Sequence, residues 1–190
     1  MTKTTTTAGS SSEARPPLSV RWATPDDVAS QVEVERLWRH EKEDCWGHED
    51  LLDYLPSRRH GRGSLVAVHH VRGVVGHLQL VSRDADVVVS NLATHPAYVR
   101  LGVARRLVGT LTTTLPVKYR RGRVNTVVRE RDLQSQQFFR AAGFRCLSVL
   151  PAFFSLPEDG GYHFQYREAE AECPQEKAGP PGAESSPPTR

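Results

Sequence analysis

The stretch from Asn91 to Leu107, NLATHPAYVRLGVARRL, constrains this chain more than any other. Val87 to Thr94 alternates like a strand, and His95-Pro96 interrupts it. Ala104, Leu107, Val108, Leu111 and Leu115 then recur at helical spacing. A strand that passes into a helix through a loop of small residues leaves the first helical N–H groups unpaired and approachable. Gly102 and Ala104 supply the small residues, and Arg100, Arg105 and Arg106 put positive charge around the mouth. Such an end attracts an anion, and a pyrophosphate suits the charge. The Walker spacing is absent, and one glycine of the three in a dinucleotide fingerprint is present. On residues alone two readings stay open, a phosphate loop or an ordinary strand-to-helix turn.

The flanking segments predict what this loop is built into. Leu18–Trp22 alternates as a strand. Thr24 caps a helix with Pro25 at its first position and Asp26 and Asp27 in its first turn, continued to about Glu41 by Val28, Val32, Val34, Leu37 and Trp38. A short second helix fits Glu49–Ser57. Ser64–His70, Gly73–Val81 and Val87–Thr94 read as an antiparallel meander. The loop helix begins near Leu101–Gly102 and is predicted to stop before Pro116. Arg123–Val128 is a further strand. Asp132 caps a helix whose Leu133, Phe138, Phe139 and Ala142 are apolar and which Gly143 closes. Phe144–Leu150 and Tyr162–Tyr166 end the series as strands. The fold class expected is α/β (α+β): a mixed, mostly antiparallel sheet of about seven strands with about four helices.

Composition sets the boundaries. The chain has 190 residues, 38% of them apolar and 25% charged. Residues 1–17 are Thr/Ser-rich and 170–190 rich in Pro and Glu, so both are expected to be disordered tails around one domain at 18–169. No apolar run reaches membrane-spanning length, and residues 1–16 have no hydrophobic centre of a secretion signal. Cys45, Cys146 and Cys173 form no CxxC, which suits a reducing, cytoplasmic setting without a metal. Charge is segregated. Asp26 to Asp53 holds ten acids and three bases, whereas Arg100 to Arg145 holds eleven bases and two acids. Two faces of opposite sign are expected, one for cations and one for phosphates or nucleic acid.

Val99-Arg100-Leu101-Gly102-Val103-Ala104 resembles the acyl-CoA loop of the GNAT acetyltransferases, Gln/Arg-x-x-Gly-x-Gly/Ala. The resemblance extends through Val128-Arg129 and Asp132 to Phe138-Phe139-Arg140-Ala141-Ala142-Gly143-Phe144, and covers about residues 18–168. It is nearest to the ribosomal-protein-alanine N-acetyltransferases, which have a similar His/Asp-Pro-x-Tyr stretch and a similar segment ending near Gln165-Tyr166. It implies acetyl transfer from acetyl-CoA to an amine, with a protein N-terminus, such as that of a ribosomal protein, as leading acceptor. Leu92, Ala93 and Thr94 would pair with the pantetheine arm as an added strand. Val99, Arg100, Leu101, Gly102, Val103, Ala104 and Arg105 would cradle the pyrophosphate. Asp132 and Phe139 would lie close to the cofactor.

The chain departs from that pattern at its polar positions. The branch's Glu base falls at Val127, its thiolate-protonating Tyr at Phe139, and its paired acceptor tyrosines at Phe153 and Phe154. Replacement candidates for acid–base work are Glu130 and Tyr162, then Tyr98 and His95. The alternative is a weakened CoA-binding pseudoenzyme or a ribosome- or RNA-associated module, with Lys118–Arg123 as the RNA-facing run. His40, Cys45 and His48 match no standard metal spacing. Adjacent His69 and His70 are expected on opposite strand faces, and Cys146 in the core.

Overall fold

The computed structural model describes residues 17–38, 61–83, 86–119, 123–154 and 160–167, with backbone alone at 83 and 115–119. The strands are β1 (Leu18–Trp22), β2 (Arg62–His69), β3 (Gly73–Arg83), β4 (Asp86–Thr94), β5 (Arg123–Arg129), β6 (Arg145–Leu150) and β7 (Gly161–Arg167). The helices are α1 (Val28–Arg36), α2 (Val103–Tyr119) and α3 (Leu133–Ala141), and short 3-10 turns precede α1 and α2. One seven-stranded sheet runs β1-β2-β3-β4-β5-β7-β6. Every neighbouring pair is antiparallel except β4 and β5, which are parallel. A parallel pair needs a crossover, and α2 supplies it.

Alternation along the strands divides the sheet into two faces. On one, Leu65, Leu78, Leu80, Val87, Val89, Val124, Val128 and Phe164 meet Val103, Leu107, Val108 and Leu111 of α2 and Phe139 of α3. The other face receives α1 through buried polar groups. Ser64 Oγ donates to Gln31 Oε1 at 2.8 Å, and His77 Nε2 lies 2.8 Å from Glu35 Oε1. The start of α1 is tied to β1: Arg21 donates to both Asp27 oxygens at 2.6 and 2.8 Å, and Thr24 N–H donates to Asp27 Oδ2 at 2.7 Å.

The order of the described elements agrees with the sequence reading, and several details differ. α2 runs through Pro116 to Tyr119. Proline so near a helix end removes one ladder bond, and few residues follow that need it. Leu133 is exposed and Gln136 is buried with Phe139, so α3 presents a narrower apolar stripe than expected. Cys146 is exposed rather than in the core, because β6 is an edge strand solvated on both faces. The rings of His69 and His70 lie 4.6 Å apart, since β2 ends at His69 and His70 already belongs to the turn. The first helix ends at Arg36, with Leu37 and Trp38 in a turn, instead of continuing to about Glu41. The expected helix at 49–57, the tails and the His40/Cys45/His48 group fall outside the described residues, as does most of the acidic segment.

Candidate active site

The parallel register of β4 and β5 lasts for four pairs, from Asp86↔Arg123 to Val89↔Thr126, and then stops. Past that point β4 keeps its pairing with β3 and β5 keeps its pairing with β7, so the two strands part. A bulge at Ser90 sets where they part: Leu80 pairs with Val89 and the next pair is Gln79 with Asn91. The extra residue changes the alternation. Val87 and Val89 enter the α2 core, whereas Asn91 turns to α1. The gap becomes a cleft of about 1650 Å³ that runs from the α2 loop to the α1 side of the sheet. Leu92, Ala93, Thr94, the whole run Val99–Arg105, Asp132 and Phe139 all line it.

The loop at one end is conformationally unusual. Arg100 has φ 65° and Gly102 φ 86°, a region that side chains rarely adopt. Strain of order 1 kcal/mol at a non-glycine residue points to a local requirement. The two residues turn the chain so that the first-turn N–H groups of Val103, Ala104 and Arg105 have no intrahelical acceptor. A Cβ on Gly102 would meet nothing within 4 Å, so the approach to them is open. The seat of the helix is tight. A Cβ on Gly76 would fall 2.7 Å from Val103 Cγ1 and 3.0 Å from Ala93 O, so glycine there lets α2 settle onto β3. Arg100 and Arg105 are exposed at the mouth, while Arg106 donates to Leu18 O at 2.8 Å and fastens α2 to β1. That third arginine therefore spends at least part of its guanidinium on the fold.

Beside polar residues such as Arg131 and Asp132, the opposite wall carries an apolar patch. Val127, Phe139 and Phe154 form it, and Phe139 packs edge-on to Phe144 at 5.1 Å. A Cβ on Gly161 would lie 2.6 Å from Val127 Cγ1 and 3.1 Å from Phe154 Cε2, so the valine and the glycine fit one another. The guanidinium of Arg129 stacks on the Phe154 ring, 4.3 Å from its centroid. Asp132 caps α3 by accepting from Ser135 N–H at 2.9 Å, and Gln136 Nε2 donates to the Arg129 and Glu130 carbonyls at 3.1 and 2.7 Å. Trp38, just after α1, donates its indole N–H to Thr94 O at 2.7 Å and thereby fixes the end of β4. Trp38, Asn91 and Arg129 form part of the site although sequence reasoning gave them no role there. Asn91 stood inside the informative segment, but the bulge that aims it had no signal.

The remaining sequence candidates lie elsewhere. Glu130 is exposed in the turn after β5, its N–H bonded to Gly160 O at 2.9 Å, and does not line the cleft. Tyr162 pairs with Val128 and packs half-buried against the main core, also off the cleft. Tyr98 does line it, whereas His95 Nδ1 accepts from Ala97 N–H at 3.2 Å outside it. Phe154 is at the wall and Phe153 is exposed beside it. Among the described residues no group of His, Cys, Asp and Glu is arranged to hold a metal ion, and no helix is long and apolar enough to cross a membrane.

The model of the acetyltransferase (GNAT) family matches residues 32–144, more than half of the chain. No curated protein sequence matches significantly. Solved structures share the fold. Ard1 from Thermoplasma volcanium superposes with a TM-score of 0.68 at 18% identity, over 80% of this chain and 99% of that one. NAA60 of Arabidopsis thaliana, in complex with a bisubstrate analogue, gives 0.67 at 16% identity, over 80% and 98%. The ribosomal-protein-S18-alanine N-acetyltransferase of Escherichia coli gives 0.68 at 12% identity, over 82% and 98%.

Proposed function

The chain belongs to the GNAT acetyltransferase family, and from that membership we propose that it transfers the acetyl group of acetyl-CoA to an amine, with a protein N-terminal α-amine, such as that of a ribosomal protein, as its acceptor. The observation that carries this reading is the cleft where β4 and β5 part, with the positive-φ loop of Arg100 and Gly102 at its mouth. The site fits the co-substrate. First-turn N–H groups of α2 and the guanidinium groups of Arg100 and Arg105 suit a pyrophosphate. The edge of β4 from Leu92 to Thr94, released from β5, offers amides to an extended pantetheine arm. A cytoplasmic setting without a metal suits this chemistry.

Transfer needs a neutral amine, and the apolar patch bears on that. An ammonium brought among Val127, Phe139 and Phe154 loses hydration, which favours the deprotonated amine, whose proton leaves to water. A positioned base typically contributes about 10²–10⁴-fold. Holding the two substrates in attacking geometry supplies a separate, larger advantage, so the valine at 127 slows transfer without forbidding it. Glu130 and Tyr162 would act only through water or a rearranged turn.

The apolar residues at Val127 and Phe139 also favour a second reading, a CoA-binding module that has lost turnover. Calorimetric titration with acetyl-CoA, followed by thiol release on adding Ala-starting peptides, separates the two. Binding with release supports transfer to an N-terminus, binding without release of thiol to any amine supports the sensor, and no binding overturns both. The Val127→Glu, Phe139→Tyr double variant is expected to raise the rate of an enzyme that lacks its base, and to leave a chain with another mechanism unchanged.

A further inference from the structure

Beneath the cleft, on the α1 face of the sheet, lies a polar cluster that the reading above does not use. Glu35 of α1 is 1% exposed and His77 of β3 is 0% exposed. One carboxylate oxygen, Glu35 Oε1, has His77 Nε2 at 2.8 Å and accepts from Asn91 Nδ2 at 2.6 Å. Contact with a carboxylate decides which way the Asn91 amide points: its NH₂ faces Glu35 and its Oδ1 is left over. Asn91 is also part of the cleft wall, two residues past the last β4–β5 pair. The Ser90 bulge is what brings its side chain to this face.

The cluster is costly as a piece of core. His77 Nδ1 and both amide atoms of Gln79, which stands opposite Asn91 in the β3–β4 register, are buried with no partner among the described residues. Burying polar groups without partners disfavours folding, and apolar residues of the same shape would pack more favourably. What the arrangement does achieve is to hold one amide at the cleft in one orientation, with an acceptor atom to spare.

We propose that Asn91 Oδ1 receives an N–H of the incoming acceptor amine, and that the Glu35–His77 pair is the positioning device that holds the Asn91 amide for it. Asn91 then orients the amine so that its lone pair faces the thioester, and Glu35 and His77 act through Asn91 without touching substrate. A neutral amide oxygen accepts from an amine without a proton transfer, which suits a site whose usual base position is Val127. The inference rests on the acetyl-transfer reading.

The test is steady-state thiol release with an Ala-starting peptide as acceptor probe, at saturating acetyl-CoA, alongside calorimetry with acetyl-CoA. Asn91→Ala is expected to raise KM for the peptide tenfold or more and to leave the acetyl-CoA Kd within twofold. Glu35→Gln, which keeps the shape and disturbs the lock, is expected to raise the same KM less. The double variant is expected to be no worse than Asn91→Ala, because both act through one contact. If Glu35→Gln does not fold, Asn91→Ala decides alone. A peptide KM unchanged within twofold in Asn91→Ala overturns the proposal and leaves acetyl transfer standing. Equal weakening of peptide and acetyl-CoA also overturns it, since it marks a structural role. A wild-type chain that binds acetyl-CoA and acetylates no amine overturns both the transfer reading and this assignment.

Discussion

At Val127, where the resemblance would place a glutamate, the side chain is fitted closely to its surroundings. The glycine at 161 has no room for a side chain because Val127 and Phe154 occupy the space, with a Cβ–Cγ1 approach of 2.6 Å. Gly161→Ala is expected to cost about 1–3 kcal/mol, the usual range for overpacking, and to cost less in a Val127→Ala background. Urea melts of the four proteins check this. Equal costs in both backgrounds would mean that Val127 is not the obstacle. At the other end of the cleft, Arg100 is exposed and strained at φ 65°. Arg100→Glu is expected to weaken acetyl-CoA binding tenfold or more by calorimetry, with little change in melting temperature. The small residues and arginines at the start of α2 were legible in the sequence, although they left a phosphate site and an ordinary turn both open. The partners of Val127 were not, because Gly161 meets it across the β5–β7 pairing and Phe154 comes from the segment that follows β6.

At the level of elements, the start of α1 was the most readable feature, since Thr24-Pro25-Asp26-Asp27 carries a cap, a preset φ and charge for the dipole together. The structure adds the partner: the Arg21 guanidinium, hydrogen-bonded to Asp27, holds that carboxyl well below its ordinary value, at about 2, with help from Thr24. A carboxyl depressed on folding stabilises the protein above its unfolded value near ~3.9, and that contribution disappears as pH falls through about 2. Asp27→Asn is therefore expected to lose about 1–2 kcal/mol at pH 7 and to approach the wild type as pH falls from 4 toward 2. Denaturant melts across that range check it, and a gap that persists at pH 2 would assign the loss to something other than charge. Two features at this scale escaped sequence reasoning. A proline one turn from the end of α2 looks like a stop signal, yet costs the helix one bond there. The bulge at Ser90 has no composition of its own, and without it the period-two pattern sends Asn91 to the wrong face. Glu35 and His77 are 42 positions apart, so nothing local announces their contact.

For the whole molecule, the cleft is a consequence of how few bonds hold the sheet together at its middle. Strands β1–β4 and β5–β7 meet through four register pairs, the Thr126 Oγ1 bond to Val89 O at 3.2 Å and the Asp86–Arg123 ion pair at 2.7 Å. Beyond them the two halves face each other across open space, joined through the packing of α2 and α3 on the main core. A ligand that extends along the edge of β4 and closes on the α2 loop would bridge those halves. Acetyl-CoA at a hundredfold excess over its Kd is expected to stabilise the fold by about 2.7 kcal/mol, which is a rise of roughly 5–10 °C in melting temperature for a domain of this size. The location of the effect distinguishes a bridge from mere occupancy. Amide exchange is expected to slow at Leu92–Thr94 and Val127–Arg129, on both sides of the gap, and to stay unchanged in β1 and in the edge strand β6. Protection confined to the α2 loop would mean that the ligand is held by its phosphates alone. In Arg100→Glu, both the thermal shift and the protection are expected to shrink together at a fixed acetyl-CoA concentration, because one anchoring contact controls how often the gap is filled.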